Sequence, residues 1–312
     1  MTLALVCMSH SPLIEFVDPP EDVTREVNYA FNTVRAFVEE FDPDLIINVG
    51  PDHYNGFFYE LMPAFCIGYE ALSVGDYGTQ AGPLNVPTAI AEELAQFVID
   101  REIDIAVSLK MEVDHGAMQP MQLIYGDIAA KPLVPIYVNS VAPPFVSMKR
   151  IRQFGTAVGD YLKTVEQKVL IIGSGGLSHD PPVPQIATAT AEQRALLLNG
   201  RHPTPEARQA RQARTIATAV AFAKGEANIQ DLAPEWDREF LSVIATGDLE
   251  KFDSYTAKEM DRVAGHSSHE VRTWVVADNA LRASGEYRVT YEYYRPIPEY
   301  IAGFAVTTAV LV

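Results

Sequence analysis

Four histidines, His10, His53, His115 and His179, each stand a few residues past an apolar run: Leu3 to Met8, Leu45 to Val49, Ile103 to Leu109 and Val169 to Ile172. Imidazole titrates near neutral pH and is the commonest metal ligand, so the pattern points to proton transfer, metal binding or both. Parallel strands of an open α/β sheet end at one edge, and ligands bind in the crevice outside those ends. One isolated histidine in such a place is an ordinary loop residue. The same placement four times implies a shared site with a metal as its natural occupant.

Imidazoles alone do not select a metal. Ferrous iron calls for an anionic oxygen beside two histidines, on one face, with the other face open. Glu270, in Gly265-His266-Ser267-Ser268-His269-Glu270, is a candidate, although Ser267 and Glu270 also have the spacing of a helix capping box. Asp52, Asp114 and Asp180 each adjoin a histidine. Side chains of neighbouring residues diverge, so these carboxylates suit loop-fixing roles that orient a ring. Zinc would accept the same donors, which leaves a zinc hydrolase open as a rival chemistry. Cys7, three residues before His10, is expected to be a buried strand thiol.

Other motifs carry less. Gly173-Ser174-Gly175-Gly176 lacks the lysine of a phosphate loop and the spacing of a dinucleotide fingerprint. Ser174 and Ser178 precede His179 but do not form a Gly-x-Ser-x-Gly elbow. The glycines instead suggest a backbone passing close to a ligand or another chain segment. Arg208, Arg211 and Arg214 share a helix face and read as a solvated surface.

The elements that would position these residues alternate. After the first strand a helix from about Glu21 to Phe41 carries Val23, Val27, Phe31, Val34 and Val38 at helical spacing. Extended sequence follows over Phe57 to Tyr69, then helices near Thr88 to Asp100 and Val146 to Thr164, with a strand at Leu133 to Val138 between them. The reading is an α/β fold: a mostly parallel or mixed central sheet with helices on both faces, plus a helical insertion near residues 187–282. Strand-like sequence returns at Tyr287 to Tyr294 and Ala302 to Val312. A chain of 312 residues fits one large domain.

Composition narrows the partners. A net charge of −17 argues against nucleic acid, which demands clustered Lys and Arg. It also means that an anionic substrate needs local positive charge. No run reaches the length of a membrane span, and the apolar start is too short for a signal peptide, so a cytoplasmic protein is expected. Two cysteines make no disulfide framework.

Taken together, Ser9-His10-Ser11-Pro12-Leu13, Pro51-Asp52-His53-Tyr54-Asn55-Gly56-Phe57-Phe58-Tyr59, Val113-Asp114-His115-Gly116, Gly173 to His179 and Tyr294-Arg295-Pro296-Ile297-Pro298-Glu299 resemble the class III extradiol ring-cleavage dioxygenases. The likeness spans nearly the whole chain. It implies that His10, His53 and Glu270 hold Fe(II), that His115 and His179 act as acid and base, and that the substrates are a catecholic aromatic acid and dioxygen. The subfamily likeness implies a propionate or acrylate arm on the ring; plain catechol, another substituted catechol, and a non-catalytic binding protein of the same fold are the alternatives. A homo-oligomer, for instance a tetramer, is also implied. An arm carboxylate needs a cation near the ring, and Arg295 and Arg272 are the candidates considered.

Overall fold

The computed structural model describes residues 2–312. In chain order the elements are β1 (Thr2–Met8), α1 (Glu21–Phe41), β2 (Leu45–Gly50), β3 (Phe65–Gly68), β4 (Ala71–Val74), β5 (Ala81–Pro83), α2 (Thr88–Asp100), β6 (Ala106–Ser108) and β7 (Met111–Val113). They continue with α3 (His115–Tyr125), β8 (Leu133–Val138), α4 (Met148–Leu162), β9 (Lys168–Ser174), α5 (Ala191–Asn199), α6 (Pro205–Ala223), α7 (Pro234–Thr246), α8 (Leu249–Ser254) and α9 (Ala257–Ala264). A 3-10 turn, Ser268–Glu270, leads into α10 (Val271–Ser284), and the chain closes with β10 (Tyr287–Ile297), a second turn at Pro298–Tyr300, and β11 (Ala302–Leu311).

The main sheet runs β10-β11-β1-β9-β2-β8-β3-β6 and is mixed. Its centre is parallel, β9 lying between β1 and β2 and β8 beyond β2. The alternation along β1 shows why these runs are apolar throughout. Leu3, Leu5 and Cys7 face one core with residues of α2, α4 and α10, while Ala4, Val6 and Met8 face the other with α1 and the buried side of α3. A strand covered on both faces has no polar side to show.

Two parts of the sequence expectation change. Of Ile103 to Leu109, only Ala106–Ser108 pairs with the sheet, as an edge strand. His115 instead follows β7, which belongs to a separate small sheet β5-β4-β7, and it opens α3 with Asp114 as the N-cap. Within the helical stretch after residue 187, the last helix, α10, is built into the body of the fold, packed along α4 and across β9.

That contact fixes the end of α10 that carries Glu270. Gly155 and Gly159, one turn apart on α4, let the helices touch backbone to backbone: an added Cβ would lie 2.5 Å from the Val276 carbonyl and 2.2 Å from that of Ala280. Alanine is the better helix former by about 1 kcal/mol. Overpacking of this kind costs about 1–3 kcal/mol, so Gly159→Ala is expected to lower the thermal unfolding midpoint. A raised midpoint would show that the helices have room to spare.

Candidate active site

The register of the central strands assembles the site. β1 and β9 pair with Met8 opposite Ser174, so the two chain segments that leave the sheet there start side by side. His10 follows β1, His179 follows β9, and His53 follows the neighbouring β2. Each ring is held through Nδ1. Ser174 Oγ meets His10 Nδ1 at 3.1 Å, and the Leu177 carbonyl accepts from His179 Nδ1 at 3.0 Å. Asp114 accepts from the His53 backbone N–H at 2.7 Å and from its Nδ1 at 3.2 Å. Asp76 does the same for His115, at 2.8 Å to the backbone N–H and 2.6 Å to Nδ1.

Glu270 closes the arrangement. Its carboxylate, 1% exposed, lies 3.2 Å from His10 Nε2 and 3.1 Å from both His53 Nε2 and His179 Nε2. His115 stacks on His53 with ring centroids 4.6 Å apart. The structure thus brings His10, His53, His115, His179 and Glu270 into one cluster. Ser267 makes no side-chain cap bond, so the capping role is not taken up. The glycines beside the cluster admit this crowding: a Cβ on Gly175 would meet the Glu270 carbonyl at 2.5 Å, and one on Gly176 the His179 ring at 2.7 Å.

Charge in this pocket follows from who faces whom. Burial pushes the His10 imidazole down to about 3, the neighbouring rings adding to its fall and Glu270 opposing it. Burial also opposes a charge on His53, but Asp114 and Glu270 outweigh it and hold the ring well above its usual value. His179 is likewise raised by Glu270 against the effect of burial. The imidazoles in turn keep Glu270 ionised although burial disfavours its charge. A carboxylate and several Nε2 atoms converging within hydrogen-bond range make a donor set for a divalent cation. The oriented Nδ1 atoms are the outer partners that such ligands normally have. Nitrogens of His10, His53 and His115 also lie within 4.8 Å of one another. The residues fit a metal.

Above the cluster opens a cavity of about 500 Å³. Its walls include Tyr54, Phe58, Tyr77, Leu197, Pro182 and Ile301, an apolar slot of a size suited to a small aromatic molecule.

The rival carboxylates serve structure. Asp52 accepts the backbone N–H groups of Asn55, Gly56 and Phe57, and Asp180 holds His266. Ser174 Oγ donates to the Gly116 carbonyl and Ser178 Oγ to Asp237, so neither is a free nucleophile. Both arginines considered for an arm carboxylate lie elsewhere. Arg295 pairs with Asp22 and Glu26 at the surface, and buried Arg272 donates to the Val146 carbonyl over the Phe145 ring. Arg208, Arg211 and Arg214 line the cavity instead, which corrects their reading as a solvated face.

Asp76 was not singled out in the sequence. It is fully buried and grips His115 by backbone and ring together. Asp76→Asn is expected to lower turnover about 10- to 100-fold with metal content unchanged, the usual loss when an orienting partner is weakened. Unchanged turnover in that variant would show His115 to be positioned by other contacts.

A mixed α/β sheet with imidazoles and a carboxylate at its carboxyl edge, beside an aromatic-sized cavity, gives a donor set that fits a metal next to room for a small aromatic molecule. The sequence profile described as the catalytic LigB subunit of aromatic ring-opening dioxygenase matches residues 4–305, and the chain belongs to that family of enzymes. A 2,3-dihydroxyphenylpropionate/2,3-dihydroxicinnamic acid 1,2-dioxygenase of Rhodococcus globerulus is 66% identical over 311 residues, covering 100% of this chain and 99% of the relative. Another so named, from Rhodococcus rhodochrous, is 64% identical over 312 residues with the same coverage. A crystal structure of an uncharacterized protein from Escherichia coli K12 superposes with a TM-score of 0.50 at 12% identity, over 97% of this chain and 98% of that one, a likeness of fold. No helix among the described residues is long and apolar enough to cross a membrane.

Proposed function

We propose that this dioxygenase opens the ring of 2,3-dihydroxyphenylpropionate and 2,3-dihydroxycinnamate beside the two hydroxyls, using dioxygen and Fe(II). The observation that carries the reading is Glu270, set between His10 Nε2 and His53 Nε2, whose rings line an aromatic-sized cavity. The names of relatives matching end to end support the substrate. His10, His53 and Glu270 would hold the iron, which when bound lets catechol and dioxygen exchange electrons at one centre.

The remaining chemistry belongs to the protein. His179 Nδ1 donates to a carbonyl, so Nε2, which faces Glu270 here, is the nitrogen that would take up the phenolic proton once Glu270 is engaged by the metal. His115, held by Asp76 through Nδ1, returns a proton to the oxygen that departs as the ring opens. The product from the propionate is a 2-hydroxy-6-oxo-dienedioate, and from the cinnamate the corresponding trienedioate. We place the enzyme in the cytoplasm as a homo-oligomer, each chain a single domain whose helical stretch 187–282 ends in α10, packed into the body of the fold, and with no nucleic-acid partner.

The test is direct. Protein loaded anaerobically with Fe(II) should consume one dioxygen per 2,3-dihydroxyphenylpropionate and form a yellow ring-opened product. Faster opening of plain catechol would remove the arm from the substrate definition. Activity with bound zinc and without oxygen uptake would overturn the reading.

A further inference from the structure

One wall of the cavity is α6, and it presents Arg208, Arg211 and Arg214 at three-residue intervals. Arg208 Nη1 donates to the Val74 carbonyl at 3.0 Å and Arg211 Nη2 to Asn55 Oδ1 at 2.8 Å. Both acceptors are neutral. Among the described residues none of the three arginines meets a carboxylate, whereas Arg152, Arg282 and Arg295 each do. The chain has 41 acidic residues against 24 Lys and Arg, so unpaired guanidinium groups in a cavity wall stand out. Neutral acceptors fix the direction of a guanidinium without cancelling its charge, and its planar fork matches a carboxylate.

The placement is tied to the reactive end. Asn55, which holds Arg211, donates through Nδ2 to Asp114 Oδ2 at 2.8 Å, and the same oxygen holds His53. One short chain of bonds therefore sets the position of Arg211 relative to the His53 ring. Glu192, exposed, is the acidic residue among those that line the cavity, and it stands against three arginines. An anionic group on the ligand thus finds its opposite charge on α6.

Resting on the ring-opening reading above, we infer that Arg211, assisted by Arg208, is the carboxylate subsite that selects catechols bearing an acid on a short arm. The catechol oxygens face the histidines while the arm extends to α6. Removing the fork leaves an anion in the cavity without its partner. A charge-assisted hydrogen bond is worth about 1.5–3 kcal/mol, equivalent to about 10- to 100-fold in selectivity.

The experiment compares kcat/KM for 2,3-dihydroxyphenylpropionate and for 3-propylcatechol, which lacks the acid, in wild type, Arg211→Met, Arg211→Lys and Arg208→Met. The preference for the acid should fall about 10- to 100-fold in Arg211→Met, less in Arg208→Met, and partly recover in Arg211→Lys. An unchanged preference, or equal losses on both substrates, overturns the subsite. Should wild type open neither catechol, the ring-opening reading fails by itself. Calorimetric binding of 3-phenylpropionate to the metal-free protein then decides the subsite: weaker binding by Arg211→Met upholds it, and equal binding or none by wild type overturns it. If Arg211→Met does not fold, Arg211→Lys and Arg208→Met carry the same comparison.

Discussion

Glu270→Gln is expected to purify with no more than traces of iron and to show less than about a thousandth of wild-type turnover. The exchange keeps the shape and removes the charge, so the loss reports the charge rather than packing. Breaking a buried ion cluster by removing one partner is usually severe, because the other charges are left unpaired. Here the penalty is moderated. His53 and His179 are raised in part by Glu270, and without it both rings shed a proton more readily. The variant should therefore fold, as thermal unfolding can check, while metal analysis reads the ligand role. Iron retained at full stoichiometry would sink the assignment of Glu270. It would point to the all-imidazole group of His10, His53 and His115, whose nitrogens lie close enough to share an ion.

His179→Gln and His115→Gln should behave in the opposite way, keeping iron and losing turnover. Positioned acid or base groups contribute about 10²- to 10⁴-fold, which sets the expected fall for each. The two variants need not fail alike. Loss of the His179 base slows entry into the reaction, and loss of His115 slows the later proton return. Single-turnover absorbance should separate the two by whether substrate or an earlier coloured species accumulates. If either variant purifies without iron, that histidine is a ligand and the division of roles is wrong.

Much of the architecture was legible because it rests on patterns with a physical period. The runs before His10, His53 and His179 had no polar side, and that is the mark of strands covered twice, which end where they must in a parallel sheet. The valine spacing in α1 gave its buried stripe directly. The small sheet was not legible. Strands of three or four residues, such as Ala81–Pro83 and Met111–Val113, are too short to show an alternation. That is also why the approach to His115 was misplaced.

At the site the chemistry-bearing histidines stood out, and Asp114 was legible as an orienting carboxylate, but the partner of His115 was not. Asp76 sits in Gly75-Asp76-Tyr77-Gly78, a turn-like stretch in which an aspartate needs no further explanation. Glu270 had two readings of equal weight until the fold showed Ser267 without a cap bond. A polar stripe on a helix looks the same whether water or a cavity lies outside it, and so the arginines of α6 could not be placed by spacing. The choice between Arg272 and Arg295 failed for a related reason. Nearness in sequence to Glu270 or to a loop block says little about which way a long side chain runs.

The helices that roof the cavity are anchored quite differently from its floor. On α5 only Leu197 is buried and on α6 only Ala219, whereas nearly every residue of α10 is inside. Local opening is cheapest where few apolar contacts are broken. Backbone amides of α5 and α6 should therefore exchange their hydrogens sooner than those of α10, so that the fold's stability is concentrated beneath the site.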